Sequence, residues 1–423
     1  MIISEKTMMI TRKEENMKIL SLFSGIGAFE KALDNLGVEY ELVNYCEIDK
    51  YASKSYAAIH NVDESLNLGD ITKVNEKELP KDIDLCCYGF PCQDISISGK
   101  MRGLFNEDGS QTRSGLFFDA LRIIEETQPR VAIAENVKNL TSKKFSEQFK
   151  IVLDSLEKAG YNNSFKVLNS RDFGIPQNRE RVFIVSIRKD IDNGNFEFPQ
   201  GFPLEMKLQD IVEENVGDEY FLTEQQIESI AHWKAQQKPF KRVLGKNSVC
   251  HTLTARGAGE YHSGMILYSE GLEDTTNIHE ECLYIKEATK KGYAEAYVGD
   301  SVNYAYLNSK TRRGRVGHQI AQTLTTSPQQ GIVTEMLEIR TLTEKEAFRL
   351  TGFTDIDFEK AQSVCSKRNL YKQAGNSIVV PVVEHIITTL LDCGALTKGN
   401  ENQIKFNNEE SFNEVVKNCQ KGC

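Results

Sequence analysis

The stretch Leu85-Cys86-Cys87-Tyr88-Gly89-Phe90-Pro91-Cys92-Gln93-Asp94 decides how the chain is read. Its apolar run, residues 83–88, reads as a buried strand. Gly89 and Pro91 end that strand and leave Cys92 at the mouth of a polar loop. In α/β folds the carboxyl end of a strand is where chemistry is placed, because the sheet fixes the backbone and the loop stays accessible. A thiol there is a candidate nucleophile. The alternative is a buried structural thiol, which is the reading for Cys86 and Cys87 inside the run.

Upstream, residues 18–23 form another apolar run, followed by Ser24-Gly25-Ile26-Gly27-Ala28 and a helical pattern over 29–36 that Gly37 closes. Strand, glycine turn and helix form the layout that sets a cofactor against a helix N-terminus. A second strand over 42–45 leads to Glu47. An acid about 20 residues beyond such a turn is placed to grip ribose hydroxyls. Asp70 reads either as the end of a third strand, near an adenine amino group, or as a turn aspartate.

Downstream, the glycine-bearing segment 92–115 has the composition of a lid. A strand over 130–134 ends in Glu135, a carboxylate that needs a partner or a task if it is buried. Arg179 and Arg181 flank Glu180 as another strand begins. Period two puts both on one face, where they suit phosphate, carboxylate or a base carbonyl. Helical patterns cover 51–59, 116–127, 145–159, 340–353 and 379–391. Thr343 and Glu346 form a capping box, and Pro381 falls in the first turn of the last helix.

The 423 residues suggest two or three domains. Ten scattered cysteines contain no CxxC pair, which argues against zinc and against a disulfide framework, and for a reducing, cytoplasmic compartment. No apolar run has the length of a membrane span, and no signal-peptide core is visible. The net charge of −10 hides local bias. Residues 229–259 hold no acid but Lys234, Lys238, Lys241, Arg242, Lys246 and Arg256. Residues 301–334 again hold no acid but Lys310, Arg312, Arg313 and Arg315. These are two solvated loops or a surface that meets phosphate. The segment around them, 204–335, loses the strand–helix alternation and reads as a smaller domain of short strands. It carries a weak echo, Thr252-Leu253-Thr254 and Thr323-Leu324-Thr325.

Taken in order, Phe23-Ser24-Gly25-Ile26-Gly27, Gly89-Phe90-Pro91-Cys92-Gln93, Glu135-Asn136-Val137, Gln177-Asn178-Arg179-Glu180-Arg181, Arg340-Thr341-Leu342-Thr343 and Gly375-Asn376-Ser377 resemble the motifs of C5-cytosine DNA methyltransferases of prokaryotic or phage type. The resemblance covers residues 17 to about 200 and 336–392. Ala28 departs from the glycine that many members carry.

The resemblance implies a doubly wound, Rossmann-like α/β domain (17–203), a target-recognition insertion (204–335) and a closing segment (336–395), with flexible termini at 1–16 and 396–423. It implies Cys92 as nucleophile at carbon 6 of cytosine, Glu135 at ring nitrogen 3, and Arg181 on the exocyclic oxygen with Arg179 in support. The methyl donor is S-adenosyl-L-methionine, at Phe23, Gly25, Ile26, Glu47, Asp70, Ile71, Pro91, Leu116, Asn376 and Ser377, with Gly27 and Ile48 beside them. No metal is implied. The partner is double-stranded DNA, bound through Ser98, Arg256, Arg312, Arg313 and Arg315, with the cytosine turned out of the duplex. A monomer is expected, with or without a separately acting restriction endonuclease. An RNA cytosine-5 methyltransferase and an inactive DNA-binding regulator are the alternatives.

Overall fold

The computed structural model describes residues 16–96, 101–223, 226–227, 282–306, 309–334 and 339–397. The chain divides into two compact units: residues 1–215, 320–328 and 342–423, and residues 216–319 and 329–341.

The larger unit is built on a six-stranded sheet in the order β2-β1-β3-β4-β7-β5. Its strands are β1 (Met17–Leu22), β2 (Tyr40–Cys46), β3 (Leu85–Tyr88), β4 (Val131–Val137), β5 (Tyr161–Asn169) and β7 (Glu180–Arg188). All run parallel except β7, which is antiparallel to both of its neighbours. The central strands are apolar on both faces, as strands buried on both sides must be. Leu20, Leu22, Cys86, Tyr88, Ala132, Ala134, Val182 and Ile184 share one core cluster with Phe117, Ile123 and Ile124 of α3 (Phe117–Thr127) and Val152 and Leu156 of α4 (Ser146–Lys158). Those strand residues are all even-numbered, the period-two signature of one sheet face. The odd-numbered Ile19, Leu85, Val131 and Ile133 are also fully buried.

Two helices follow β1 and β2 in turn: α1 (Ala28–Asn35) and α2 (Lys50–His60). They pack against helices from the far end of the chain, α1 with α8 (Val380–Asp392) and α2 with α6 (Asp355–Val364) and α7 (Lys367–Asn376). The predicted capping box is present at α5 (Glu344–Arg349): Thr343 Oγ1 accepts from the Glu346 amide, and Glu346 from the Thr343 amide. Glu346 also accepts from the Glu213 amide at 2.7 Å. One buried carboxylate thus holds the chain on both sides of its excursion into the smaller unit.

Three sequence expectations change. Residues 340–353 are not one helix: Arg340 lies in strand β14 (Ile339–Thr341), whose pairing with β13 (Gln330–Val333) outweighs local helical pattern. Residues 68–71 are no sheet strand. A single bridge, Tyr45 to Asn67, precedes a 3-10 turn at Ile71–Lys73 that Asp70 caps by accepting from the Thr72 amide, so the turn reading of Asp70 holds. Residues 320–328 belong to the larger unit, where β12 (Ala321–Gln322) pairs in parallel with β6 (Gln177–Asn178). Residues 367–392, in which an 18-residue window reaches a mean hydropathy of 1.4, match a membrane span by length and composition alone. They form two helices, α7 and α8, broken at Ser377–Val379, and α8 buries Val380, Val383, Ile386, Ile387 and Leu390 in the protein.

The described part of the smaller unit is made of short strands. Strands β8 (Leu283–Lys286) and β9 (Tyr293–Ala296) form a hairpin. Strands β10 (Ser301–Asn303), β11 (Val316–Gly317), β13 and β14 form an antiparallel sheet. Leu222, Leu283, Ile285, Ala296, Val302, Val333 and Ile339 make its core.

Candidate active site

Strand ends collect the predicted residues of the larger unit. Strand β1 pairs on one side with β2 and on the other with β3, so the sheet order reverses there, and the crevice at the strands' carboxyl ends is where such sheets bind ligands. The glycine turn follows β1, Glu47 follows β2, Cys92 follows β3, and Glu135 lies near the end of β4.

The sheet register brings Glu135 and Arg181 together. Glu135 lies opposite Phe183, and Val137 opposite Arg181, so Arg181 is the diagonal neighbour of Glu135 on the same face, within reach of a long side chain. Arg181 Nε meets Glu135 Oε1 at 2.9 Å, with both side chains largely buried. Burial pushes the Glu135 carboxyl up, against the pull of Arg181 and Arg179. Burial, then the Glu135 charge, push the Cys92 thiol up, and Arg181 and Arg179 oppose them. These four residues therefore share one electrostatic neighbourhood.

Arg179 occupies the single-residue break between β6 and β7, so the predicted alternation is interrupted. Its guanidinium donates to the carbonyls of Leu324 (3.3 Å), Gly375 (3.1 Å) and Ser377 (2.6 Å). Burial, then the Arg181 charge, push it down to about 9, which still leaves it cationic at neutral pH. It ties three distant segments together beside the thiol. Gly375 is required there, because a Cβ would come within 2.2 Å of the Thr325 carbonyl oxygen.

Two asparagines in this region were not singled out by the sequence. Asn136 is buried and donates to the Phe90 carbonyl at 2.9 Å, fixing the turn before Cys92. Asn139 donates to the Ile95 carbonyl. A buried asparagine immediately after the key glutamate was the available signal, since buried amides must find partners. The segment after Cys92 is tied at its neck: Arg102 pairs with the buried Asp94 at 2.9 Å, and the Gly103 amide donates to the Asp94 carbonyl. Ser98 lies outside the described residues.

The other half of the crevice is open. Phe23 has φ +53°, a left-handed conformation that costs a non-glycine residue energy and marks a constrained position. Gly25 (φ +58°) and Gly69 (φ +72°) have nothing within 4 Å of where a Cβ would sit, so both face open space. Gly27 is the opposite case: a Cβ would strike the His60 ring at 2.1 Å. Glu47 accepts from the Gly25 amide at 2.9 Å and the Asp49 amide at 2.7 Å, and burial pushes its carboxyl up. Ile48 beside it is 73% exposed, an apolar side chain left uncovered.

Pro91, Leu116 and Asn376 lie at the ends of the β3 loop, the turn before α3 and helix α7. Ile26, 1% exposed, and Ile71 are packed inward and support the turns that carry them. The Ser377 hydroxyl donates to the Ile378 carbonyl. Asn67 also escaped the sequence reading. It bridges the Glu47 and Gly69 backbones, and nothing in its local sequence marks that role.

In the smaller unit, Arg315 departs from the expected DNA contact. It is 1% exposed, and its guanidinium donates to the carbonyls of Asn303, Ala305 and Tyr306 at 2.9, 3.1 and 3.0 Å. It clamps its own unit. Arg313 is exposed, with Nε on the Ala288 carbonyl at 2.8 Å, and Arg312 is half-buried. Arg256, like the whole of 229–259, lies outside the described residues. Among the described residues no cluster of His, Cys, Asp or Glu could hold a metal.

Comparison with known proteins places this geometry. A family model described as C-5 cytosine-specific DNA methylase matches residues 17–392. The Orphan methyltransferase M.SPRI of Bacillus phage SPR is 33% identical, over 89% of this chain and 97% of its own length. The Type II methyltransferase M.HhaI of Haemophilus parahaemolyticus is 34% identical, over 69% of this chain and 88% of its own. Two solved structures share the fold: the S. pombe Dnmt2 methyltransferase (TM-score 0.53, 22% identity, 89% of this chain and 99% of that one) and the Entamoeba histolytica methyltransferase EhMeth (0.54, 15%, 89% and 98%). The chain belongs to the C-5 cytosine-specific DNA methylase family and is a DNA (cytosine-5-)-methyltransferase.

Proposed function

We propose that the enzyme methylates carbon 5 of a cytosine in a specific double-stranded DNA sequence through a covalent Cys92 adduct, with S-adenosyl-L-methionine as donor. The observation that carries this reading is the buried Glu135–Arg181 pair in the same electrostatic neighbourhood as the Cys92 thiol. Cytosine is a poor nucleophile at carbon 5, and addition at carbon 6 changes that. The Cys92 thiol gives its proton to solvent, and the thiolate sulfur forms a bond to carbon 6. The displaced π electrons pass through carbons 5 and 4 to nitrogen 3, which takes the proton held on Glu135. A raised carboxyl pKa suits that donation, and Arg181 both orients Glu135 and offers N–H groups to the neighbouring exocyclic oxygen. Carbon 5 then takes the methyl group. Solvent takes the carbon 5 hydrogen as a proton, which restores the ring double bond and expels Cys92 as thiolate; nitrogen 3 returns its proton to Glu135, and solvent reprotonates Cys92.

The open half of the crevice fits the donor. Glu47 presents a half-buried carboxylate for ribose hydroxyls, Ile48 an uncovered apolar side chain for a base ring, and Gly25 and Gly69 leave room for a ligand against the backbone. S-Adenosyl-L-methionine, when bound, supplies an electrophilic methyl group. A stacked base cannot reach Cys92, so the cytosine has to leave the duplex. The phage relative carries the word orphan in its name, which favours a solitary enzyme over one paired with a restriction endonuclease.

The test is a target duplex carrying 5-fluorocytosine. Fluorine cannot leave as a proton, so the adduct of protein, DNA and methyl group should persist on a denaturing gel, with mass spectrometry placing the link at Cys92. Cys92→Ser should form none. A bound duplex that is methylated when unmodified but never trapped would overturn the covalent route. Equal trapping on single-stranded RNA would favour the RNA reading.

A further inference from the structure

The segment before Asp70 is not a strand, yet it is held as though it were one. Asn67 does this with its side chain. Its Oδ1 accepts from the Glu47 amide at 3.0 Å and from the Gly69 amide at 2.9 Å. Its Nδ2 donates to the Glu47 carbonyl at 2.9 Å and to Ser53 Oγ at 3.0 Å. One amide side chain thus pairs with both the N–H and the C=O of Glu47, as the peptide of a neighbouring strand would. Its orientation is fixed by its partners: two are N–H groups and one is a carbonyl, so a flipped amide would set donor against donor. The network continues inward. Ser53 Oγ meets the buried Tyr45 hydroxyl at 3.0 Å, and the Leu68 amide donates to the Tyr45 carbonyl at 2.7 Å.

Glu47 and Asp70 sit on the two backbones that this amide joins. Gly69, whose N–H it holds, is the residue immediately before Asp70 and opens onto empty space. We propose that Asn67 is a positioning residue for the methyl donor: it sets the separation of the Glu47 and Asp70 turns, and with it the width of the adenosine site. This rests on the donor reading given above. Asn67 touches neither the cytosine-side residues nor their partners, so its influence should fall on the donor alone. Substitution should raise the donor KM far more than it lowers kcat at saturating donor.

The measurement is calorimetric titration of the full-length enzyme with S-adenosyl-L-homocysteine, which binds without turnover. Asn67→Ala should weaken binding by about tenfold to a hundredfold, the range seen when a group that orients a metal-ligating residue is removed. Asn67→Asp keeps both acceptor bonds and replaces the donors by charge facing the Glu47 carbonyl. It should retain the fold, by thermal unfolding, and still bind more weakly than the native chain. Combined with Glu47→Gln, the Asn67→Ala loss should be much less than additive, because both changes act through one carboxylate. Asn44→Ala removes a nearby bond, Asn44 Nδ2 to the Leu66 carbonyl at 3.0 Å, without touching Glu47 or Gly69, and should leave binding within about twofold.

Unchanged affinity in both Asn67 variants would overturn the proposal. So would strict additivity with Glu47→Gln, or an Asn44→Ala loss as large as that of Asn67→Ala, which would mean general loosening. Native enzyme that fails to bind S-adenosyl-L-homocysteine at all would instead overturn the donor reading on which the proposal stands.

Discussion

Arg179 in the larger unit and Arg315 in the smaller are built alike. Each is almost fully buried, and each spreads its guanidinium over three backbone carbonyls. Their surroundings differ. The carbonyls on Arg179 come from two segments remote from it in sequence, residue 324 and residues 375 and 377, and Glu135, Arg181 and Cys92 all act on its charge or feel it. The carbonyls on Arg315 come from residues 303, 305 and 306 of one loop, and the charges acting on it are Arg312 and Glu287. The same fork serves in one place to tie two remote segments to a strand start beside Cys92 and in the other to close a turn. A buried arginine is therefore read by what its acceptors carry.

Alanine substitution should separate the two by the largest effect. Arg179→Ala should lower kcat by about two to three orders of magnitude, the usual loss when a preorganised charge beside reacting groups is removed. Arg315→Ala leaves three carbonyls short of a donor and should destabilise its unit by about 3 kcal/mol or more, at about 1–3 kcal/mol per uncompensated group. The activity of the Arg315 variant should fall only as its folded fraction falls. Turnover and thermal unfolding measured on both variants check this. Loss of turnover in a fully folded Arg315 variant would erase the distinction.

A smaller effect tests the charges around Arg179. The Cys92 thiol, pushed up by burial and Glu135, stays protonated through neutral pH and ionises as pH rises. Its alkylation by iodoacetamide should therefore rise with pH, with a midpoint above that of an ordinary thiol. Glu135→Gln removes a negative neighbour and should move the midpoint down. Arg181→Ala removes a positive one and should move it up. Shifts of the same sign would mean that the carboxylate and guanidinium do not act on the thiol independently.

What could be read from sequence divides along the same line. The strand ends, the glycine turn, Cys92 and Glu135 were visible because each depends on a few consecutive residues: an apolar run, a breaker, then the reactive group. The capping box at Thr343 was visible for the same reason. Arg179 and Arg315 looked alike because the fate of a guanidinium is set by carbonyls that arrive from elsewhere. Asn67 was hidden because its side chain substitutes for a strand that the sequence pattern suggested at residues 68–71. Residues 320–328 read as part of the insertion because their anchors, Gln177 and Gly375, are remote: the Leu324 amide donates to Gln177 Oε1 at 3.2 Å, and Gly375 packs on Thr325.

The smallest effect concerns Arg313, neighbour of Arg315 in the same acid-free stretch. Its side chain is exposed, and its Nε donates to the Ala288 carbonyl, which restrains the guanidinium. That arrangement suits a phosphate, which takes paired N–H donors and carries no sequence information. Arg313→Ala should then weaken all duplexes alike, leave the methylated site unchanged, and reduce the slope of log affinity against log salt by about 0.9, the value of one phosphate contact on duplex DNA. Arg315→Ala should leave that slope alone once its folded fraction is accounted for, since a guanidinium that is 1% exposed and turned onto its own backbone carbonyls is not presented to DNA. Fluorescence anisotropy across a salt series reads both. An unchanged slope for Arg313 would remove phosphate contact from this stretch, and relaxed site choice in that variant would make it a base contact instead.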